Sequence, residues 1–483
     1  MTVGKSGEAR KVAERKRAEA REVYLRAANQ IPLLDEDSTV EAVDAAAAGL
    51  KEAMTGTLDE LAKKKRWCSR SKHWWLEDLK QLWRELGKTR REWKNRPAGI
   101  SRFKEARRNF RRGIRRAKHE CWNRFLQEGN GNDVWTATRY TMPRIDKARQ
   151  ALVDEDGNMA EGHYEREEAL LAAHFPKVPP GDYTPKEGGR SFERINAEMV
   201  GGLLGKAANS SAPGDDRISA GILKVFWEWD QQRIVRLVRA CIRLGHHPEL
   251  WKTAKGIVIP KAGKPDYLKV RAYRVICLLD VISKLVERTA GYLIADHLER
   301  KKGLHEGQYG CRKRRSCIDA VAVLMNRTQQ AWQGKKIAGA LFMDVKLAFT
   351  NVSKAHLGKR MEALELEPDL IRWTDSFMTG RQVKLVLDGE TGEASPVDTG
   401  IPQGSPAAPI LFVTYLSGIF DEVERAVPGI KGLSFADDIA WWAKGKDEEE
   451  VAAKLAQAAA ASLDWAKDNG VTFDHGKTEA ALF

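Results

Sequence analysis

Two apolar runs that end in carboxylates constrain the second half of this chain more than any other feature. Residues 338–345 (AGALFMDV) read as a buried strand with Asp344 near its end. Residues 433–442 (LSFADDIAWW) read as two short strands with residues 436–438 at the turn between them. A carboxylate beside a buried run is costly unless it is paired or binds a cation. Strand neighbours point to opposite faces, so Asp437 and Asp438 cannot both pack inward, and at least one should point into a site. If the first strand lies beside the hairpin, Asp344, Asp437 and Asp438 converge. Three convergent carboxylates suit a hard, oxygen-seeking ion such as Mg²⁺. Two such ions, roughly 3.5–4 Å apart, clamp the attacking and leaving oxygens of an in-line phosphoryl transfer. Taken alone the pattern is weak, because paired Asp residues at turns are common.

The segment between these runs sharpens the reading. Residues 400–406 (GIPQGSP) hold two glycines and two prolines, which fix an unusual backbone course. Gln403 offers a donor and an acceptor on that stiff loop. Ser405 and Pro406 then open a helix expected over about residues 410–423. From about residue 191 to the end, strand-like and helix-like segments alternate, the pattern of an α+β or α/β domain. Residues 151–190 read as a connector, with a turn at Asp156–Gly157 and Pro176, Pro179, Pro180 and Pro185 breaking any long element.

The formal net charge is +14, and it is concentrated. Residues 61–150 carry about 27 Lys and Arg against about 9 Asp and Glu, a net of about +18, which is the electrostatic footprint of a polyanion partner. A solvated helical surface is the plainer alternative. This block reads as long basic helices with interleaved aromatics, among them Trp67, Trp74, Trp75, Trp83, Trp93, Trp122, Phe125 and Trp135, and with a turn at residues 97–99. Phe103, Arg107, Phe110 and Ile114 share one helix face, so the aromatics read as a packing stripe. Arg108, Arg111, Arg112 and Arg115 lie largely off that face and are the candidates for phosphate contacts. Residues 63–66 (KKKR) match a short nuclear import signal. Residues 1–60 read as a polar helical leader with no visible chemistry; within it, residues 40–54 carry apolar residues at helical spacing.

Six cysteines form no C-x-x-C pair and no zinc knuckle, so reduced structural thiols in an intracellular protein are expected. No apolar signal segment opens the chain and no run of 18 apolar residues occurs, so no membrane partner is expected.

With the carboxylates in place, a series of further motifs resembles the reverse transcriptase of non-LTR (LINE-type, jockey-like) retrotransposons. The resemblance runs from about residue 70 to the C-terminus. In the family's order stand residues 211–218 (SAPGDDRI), 257–266 (IVIPKAGKPD), 273–279 (YRVICLL), 308–316 (QYGCRKRRS), 342–352 (FMDVKLAFTNV), 400–409, 435–438 (FADD) and 476–479 (GKTE). The resemblance implies an α+β right-hand polymerase with fingers over residues 191–340 and a palm with an antiparallel sheet over 341–483. The basic helical region 61–150 would precede it. It implies an RNA-directed DNA polymerase that adds dNTPs to a primer 3′-hydroxyl on an RNA template. By the same resemblance Asp344 and Asp437 bind two Mg²⁺ (or Mn²⁺), assisted by the Val345 carbonyl, with Asp438 beside them. Phe349 matches the steric gate against a ribose 2′-hydroxyl. Gln403 and Gly404 meet the incoming nucleotide, Lys261 and Arg274 grip its triphosphate, and Lys477 protonates the pyrophosphate. The basic region would hold the element's RNA, and the protein would act in the nucleus after a cytoplasmic ribonucleoprotein stage.

The chain departs from the family pattern at several places. Thr350 stands where a carboxylate is usual, Val275 where proline is, Arg217 where glycine is, Cys311 where an aromatic or aliphatic residue is, and Ala407–Ala408 where Leu–Ser is. None of these removes a metal ligand. The motif series ends at residues 476–479, before a primer grip and thumb, so weak processive synthesis by this chain alone is expected. Two other readings use many of the same residues. One is an RNA-binding remnant without turnover, which Thr350 favours. The other is a maturase or an RNA-dependent RNA polymerase, and Phe349 argues against ribonucleotide use.

Overall fold

In the computed structural model the described residues are 14–61, 77–95, 100–128, 151–177, 181–188, 194–397 and 399–483. They fall into two compact units: residues 1–8 with 64–146, and residues 9–63 with 147–483.

In the smaller unit the helices Glu77–Asn95 and Ile100–Glu128 pack on each other. Leu79, Phe110 and Ala117 are buried, with Leu82, Leu86 and Ile114 against them. The Trp83 ring lies 5.3 Å from Phe110, and Trp93 stacks on Phe103 at 5.0 Å. These aromatics therefore join helix to helix, as a packing stripe does. Arg108, Arg111, Arg112 and Arg115 are exposed. Residues 63–66, Trp67, Trp74, Trp75, Trp135 and the turn at 97–99 lie outside the described residues, as do the side chains of Trp122 and Phe125.

The larger unit holds ten described strands. β1 (Leu152–Val153) and β2 (Met159–Ala160) form a small ribbon across the Asp156–Gly157 turn. The helix His163–His174 follows, inside the segment that the proline spacing marked as a connector. β3 (Thr253–Pro260), β4 (Tyr273–Leu278), β5 (Ile337–Asp344), β6 (Arg381–Leu387), β7 (Glu390–Val397), β8 (Lys431–Phe435), β9 (Asp438–Gly445) and β10 (Glu479–Leu482) build two four-stranded sheets. One has the order β4-β3-β6-β7, with β3 and β6 parallel and the other pairs antiparallel. The other has the order β10-β5-β9-β8 and is antiparallel throughout. Strand pairing thus crosses residue 340: β6 and β7 come from the later segment but complete the sheet of β3 and β4.

The second sheet has one packed face and one partly open face. Leu341 and Met343 on β5, with Ile439, Trp441 and Ala443 on β9, join the main core. The helices Gly418–Ala426 and Glu448–Asn469 supply Phe420, Val451 and Leu455 to that core. Fully burying a Trp or Phe side chain contributes roughly 2–3 kcal/mol, so this face fixes the register. Side chains alternate along a strand, which puts Phe342 and Asp344 on the opposite face. That face is covered at one end by the helix Cys317–Gln333, through Ala331 and Leu324 against Ala338 and Trp442. At the other end Phe342 and Phe435 are each 37% exposed.

Residues 410–423 are not one helix. Ala408–Leu416 and Gly418–Ala426 are separate helices that meet at Ser417. The Ser417 hydroxyl donates to the Thr414 carbonyl at 2.7 Å and accepts from Arg360 Nε at 2.8 Å. A serine that bonds to the preceding turn competes with the helix ladder.

The N-terminal helices are part of the core. Helix Val40–Leu61 buries Val43, Ala47, Leu50, Met54 and Leu58, the stripe implied by the apolar spacing. Tyr24, on helix Arg17–Ala28, packs 4.8 Å from the Phe226 ring. Among the described residues no helix is long and apolar enough to cross a membrane.

Candidate active site

The hairpin of β8 and β9 is closed by Ala436 and Asp437 alone, since Phe435 pairs with Asp438. Ala436 takes a left-handed backbone with φ of 58°, which costs a residue with a Cβ about 1 kcal/mol or more. Neighbouring chain holds it there. The segment around Gln308 runs parallel to β8, with Tyr309 N–H donating to the Ser434 carbonyl at 2.9 Å and Ser434 N–H to that of Gly307 at 2.8 Å. A Cβ at Gly310 would lie 2.1 Å from the Ala436 nitrogen, so only glycine permits this approach. Residues 308–310 therefore buttress the acidic turn.

β5 lies directly beside this hairpin. Asp344 pairs with Asp438 across the sheet, so their side chains leave the same face. Val345 N–H donates to the Asp437 carbonyl at 3.3 Å, which fixes the turn against the end of β5. The three carboxylates expected to meet do share this corner. Burial pushes the Asp437 carboxyl above the ordinary carboxylate range, and the Asp344 charge adds to the effect, while Lys477 and Arg274 oppose it. Asp438 is more open and shifts the same way, through partial burial and then through Asp437 and Asp344. Such crowding of like charge is relieved by a cation.

Lys477 supplies one cation. It ends the short turn His475–Lys477, and its ammonium contacts Asp344 Oδ2 and lies 3.4 Å from Asp474 Oδ2. The contact with Asp344 raises the Lys477 pKa. Asp474 was not anticipated from the motifs, yet its N–H donates to the Asp344 carbonyl at 2.8 Å and so ties this turn to β5. Lys261 follows β3, and Arg274 is on β4. Burial lowers the Lys261 pKa, and the charges of Lys264, Arg274 and Lys477 lower it further. Lys261, Arg274 and Lys477 therefore act on one another, and the latter two act on Asp437: four predicted site residues share one field.

Phe349, Gln403 and Gly404 are grouped a few residues farther on. Phe349 packs 5.2 Å from the Phe412 ring, and its carbonyl accepts from Ile401 N–H at 2.7 Å. The loop at 400–406 needs both its glycines. Gly400 has φ of 82° and a Cβ there would lie 2.4 Å from the Thr350 carbonyl oxygen; Gly404 has φ of 130° and would place one 2.4 Å from that of Cys277. Cys277 N–H also donates to the Gln403 carbonyl at 2.8 Å. Phe349, Gln403 and Gly404 line a cavity of about 440 Å³ together with Ser211, Lys284 and Arg288. The last two cations lie one turn apart on helix Val281–Lys301. They were not singled out from the sequence, although their spacing was visible there.

Among the described residues no group of three His, Cys, Asp or Glu side chains forms a closed metal cage. The fit to a metal rests on the donor set: oxygen atoms only, partly buried, crowded by like charge, with an ammonium resting on one of them. That set suits a hard divalent ion.

Residues 259–482 match the profile of the reverse transcriptase (RNA-dependent DNA polymerase) family. This segment is a reverse transcriptase domain. The RNA-directed DNA polymerase from mobile element jockey of Drosophila funebris is 26% identical to the chain over 316 residues, covering 64% of this chain and 34% of the relative. Its Drosophila melanogaster counterpart is 24% identical over 374 residues, covering 72% and 40%. The putative 115 kDa protein of the type-1 retrotransposable element R1DM is 24% identical over 431 residues, covering 86% and 40%. The chain thus spans between 34% and 40% of the length of these curated relatives. The reverse transcriptase domain accounts for the motif order and places the chain with jockey-like, non-LTR elements. A domain of this kind depends on divalent metal in general.

Proposed function

We propose that this chain polymerises deoxynucleotides on an RNA template, extending a DNA primer. The observation that carries this is the pairing of Asp344 with Asp438 across adjacent strands, with Asp437 at the turn and Lys261, Arg274 and Lys477 in the same field. Asp344, Asp437 and the Val345 carbonyl would hold two Mg²⁺, or Mn²⁺, with Asp438 shaping the field; the ions supply charge neutralisation at the attacking and leaving oxygens. Lys261 and Arg274 bind the triphosphate, since preorganised cations stabilise the charge that develops there. Gln403 and Gly404 present the loop to the nucleotide. Phe349 excludes a 2′-hydroxyl by its bulk. Lys477 is protonated at neutral pH, and once released from Asp344 it delivers a proton to the pyrophosphate oxygen.

The template and the element's own RNA also meet the exposed arginines of the basic helices through phosphates. Nuclear entry through residues 63–66 fits the same role.

Primer extension on an RNA template with Mg²⁺ tests the reading. The wild-type chain extends the primer, and Asp437→Asn lowers the rate by about 10³-fold or more while RNA binding persists. If neither chain extends and both bind RNA equally, the RNA-binding remnant is the correct reading.

A further inference from the structure

Glu287 is fully buried on helix Val281–Lys301, and the chemistry proposed above does not use it. Its Oε1 accepts from the Ser283 hydroxyl at 2.6 Å. The Ser405 hydroxyl bonds to the same carboxylate. Ser405 is itself buried and directly follows Gln403 and Gly404. Behind the loop stands a third buried charge, Arg381, at the start of β6. Arg381 donates to the Phe377 carbonyl at 2.9 Å and lines a small cavity with Gly400, Ile401 and Pro402. Among the described residues Glu287 Oε2 and Arg381 Nη2 have no hydrogen-bond partner.

A buried ionic group is a poor device for stability, because well-packed apolar side chains of the same volume serve at least as well. Its use is directional. Here a carboxylate on a long helix reaches one hydroxyl of its own helix and one hydroxyl of the loop. The loop is otherwise fixed only through backbone: Cys277 to Gln403, and Phe349 to Ile401. Without Ser405 held from behind, Gly404 is free to turn, because glycine has the widest choice of backbone angles.

We propose that Glu287 is a positioning residue. Through Ser405 it holds the Gln403–Gly404 corner at the height that the incoming nucleotide and the Phe349 ring require. This rests on the polymerase reading for its consequence but not for its geometry, and the two can be tested apart.

The test compares two serines on one carboxylate. Ser283→Ala and Ser405→Ala each remove one hydroxyl bond to Glu287, but only Ser405 belongs to the loop. Hydrogen exchange of the full chain is measured over residues 399–407, and primer extension gives the dNTP KM and kcat. Ser405→Ala is expected to speed exchange in that peptide and to raise the dNTP KM, each by about tenfold, the size of one hydrogen bond to a charged group. The kcat changes little, and Ser283→Ala leaves both readouts near wild type. Glu287→Met reproduces Ser405→Ala, and Glu287→Gln, which keeps an acceptor, restores most of the KM. Equal exchange in the two serine variants overturns the proposal, as does a loosened loop with an unchanged KM. If the wild-type chain extends no primer, the polymerase reading fails, and the exchange comparison alone still decides whether Glu287 holds the loop.

Discussion

At the scale of single residues, backbone and side-chain demands are separable. Phe349 is held by its carbonyl bond to Ile401 and by packing on Phe412, so truncating its ring leaves the loop anchored. Phe349→Ala is expected to raise ribonucleotide incorporation relative to deoxynucleotide by about one to two orders of magnitude, read from competing single-nucleotide additions. Unchanged selectivity would remove the gate assignment. Arg217 shows the other kind of demand. It stands where the family pattern has glycine and takes a left-handed φ of 59°. Arg217→Gly relieves that strain and should stabilise the fold by up to about 1 kcal/mol in urea unfolding. A clear loss of stability would mean that the arginine side chain contributes more than its backbone costs. Gly310 is the converse case: Gly310→Ala drives a methyl into the Ala436 backbone, and both folding yield and activity should fall.

At the scale of elements, the N-terminal helices dock through a charged corner as well as through apolar packing. Lys51 Nζ lies 2.8 Å from Asp280 Oδ2, and Asp216 N–H donates to the other Asp280 oxygen at 3.3 Å. Burial, then the Asp280 charge, pushes the Asp216 carboxyl well above the carboxylate range. A carboxyl raised in the folded state binds its proton more tightly there than in the unfolded chain. Its ionisation therefore costs stability as pH rises from the ordinary carboxylate range toward the raised value. Asp216→Asn keeps an acceptor for Ile218 N–H, bonded at 3.0 Å, and loses that penalty. Its stability should gain on the wild type between pH 5 and pH 8; a gap that does not change with pH would refute the assignment. The same scale shows what motif reading could not supply. The β5 strand and the β8–β9 hairpin were legible from their apolar runs. The break at Ser417 was not, because it depends on Arg360 arriving from a distant helix.

At the scale of the whole molecule, charge and chemistry are apportioned to different units. The block at residues 61–150 carries the excess of positive charge, and most of it forms the smaller unit. The acidic corner, the cations around it and the loop at 400–406 belong to the larger one. Binding of single-stranded RNA should therefore weaken steeply with salt, with a slope of about −0.7 per phosphate neutralised. Replacing residues 64–146 by a short linker should flatten that slope by several contacts. Single-nucleotide addition to a saturating primer–template should survive the replacement. An unaltered salt slope would place the RNA contacts elsewhere.

The amino-acid order by itself determined which strands carry the acids, that a stiff glycine-rich loop follows them, and that the positive charge is confined to one region. Each of these is local: a period, a turn chemistry or a count. Proximity was decided only by the tertiary structure. The pairing of Asp344 with Asp438, Asp474 as a tie between two turns, the strands at 381–397 joining those at 253–278, and Glu287 behind the loop all link residues far apart in the chain. A sequence states which residues can bear charge or turn a corner; the cost of burying them, and the partner that offsets it, exist only once distant segments are packed together.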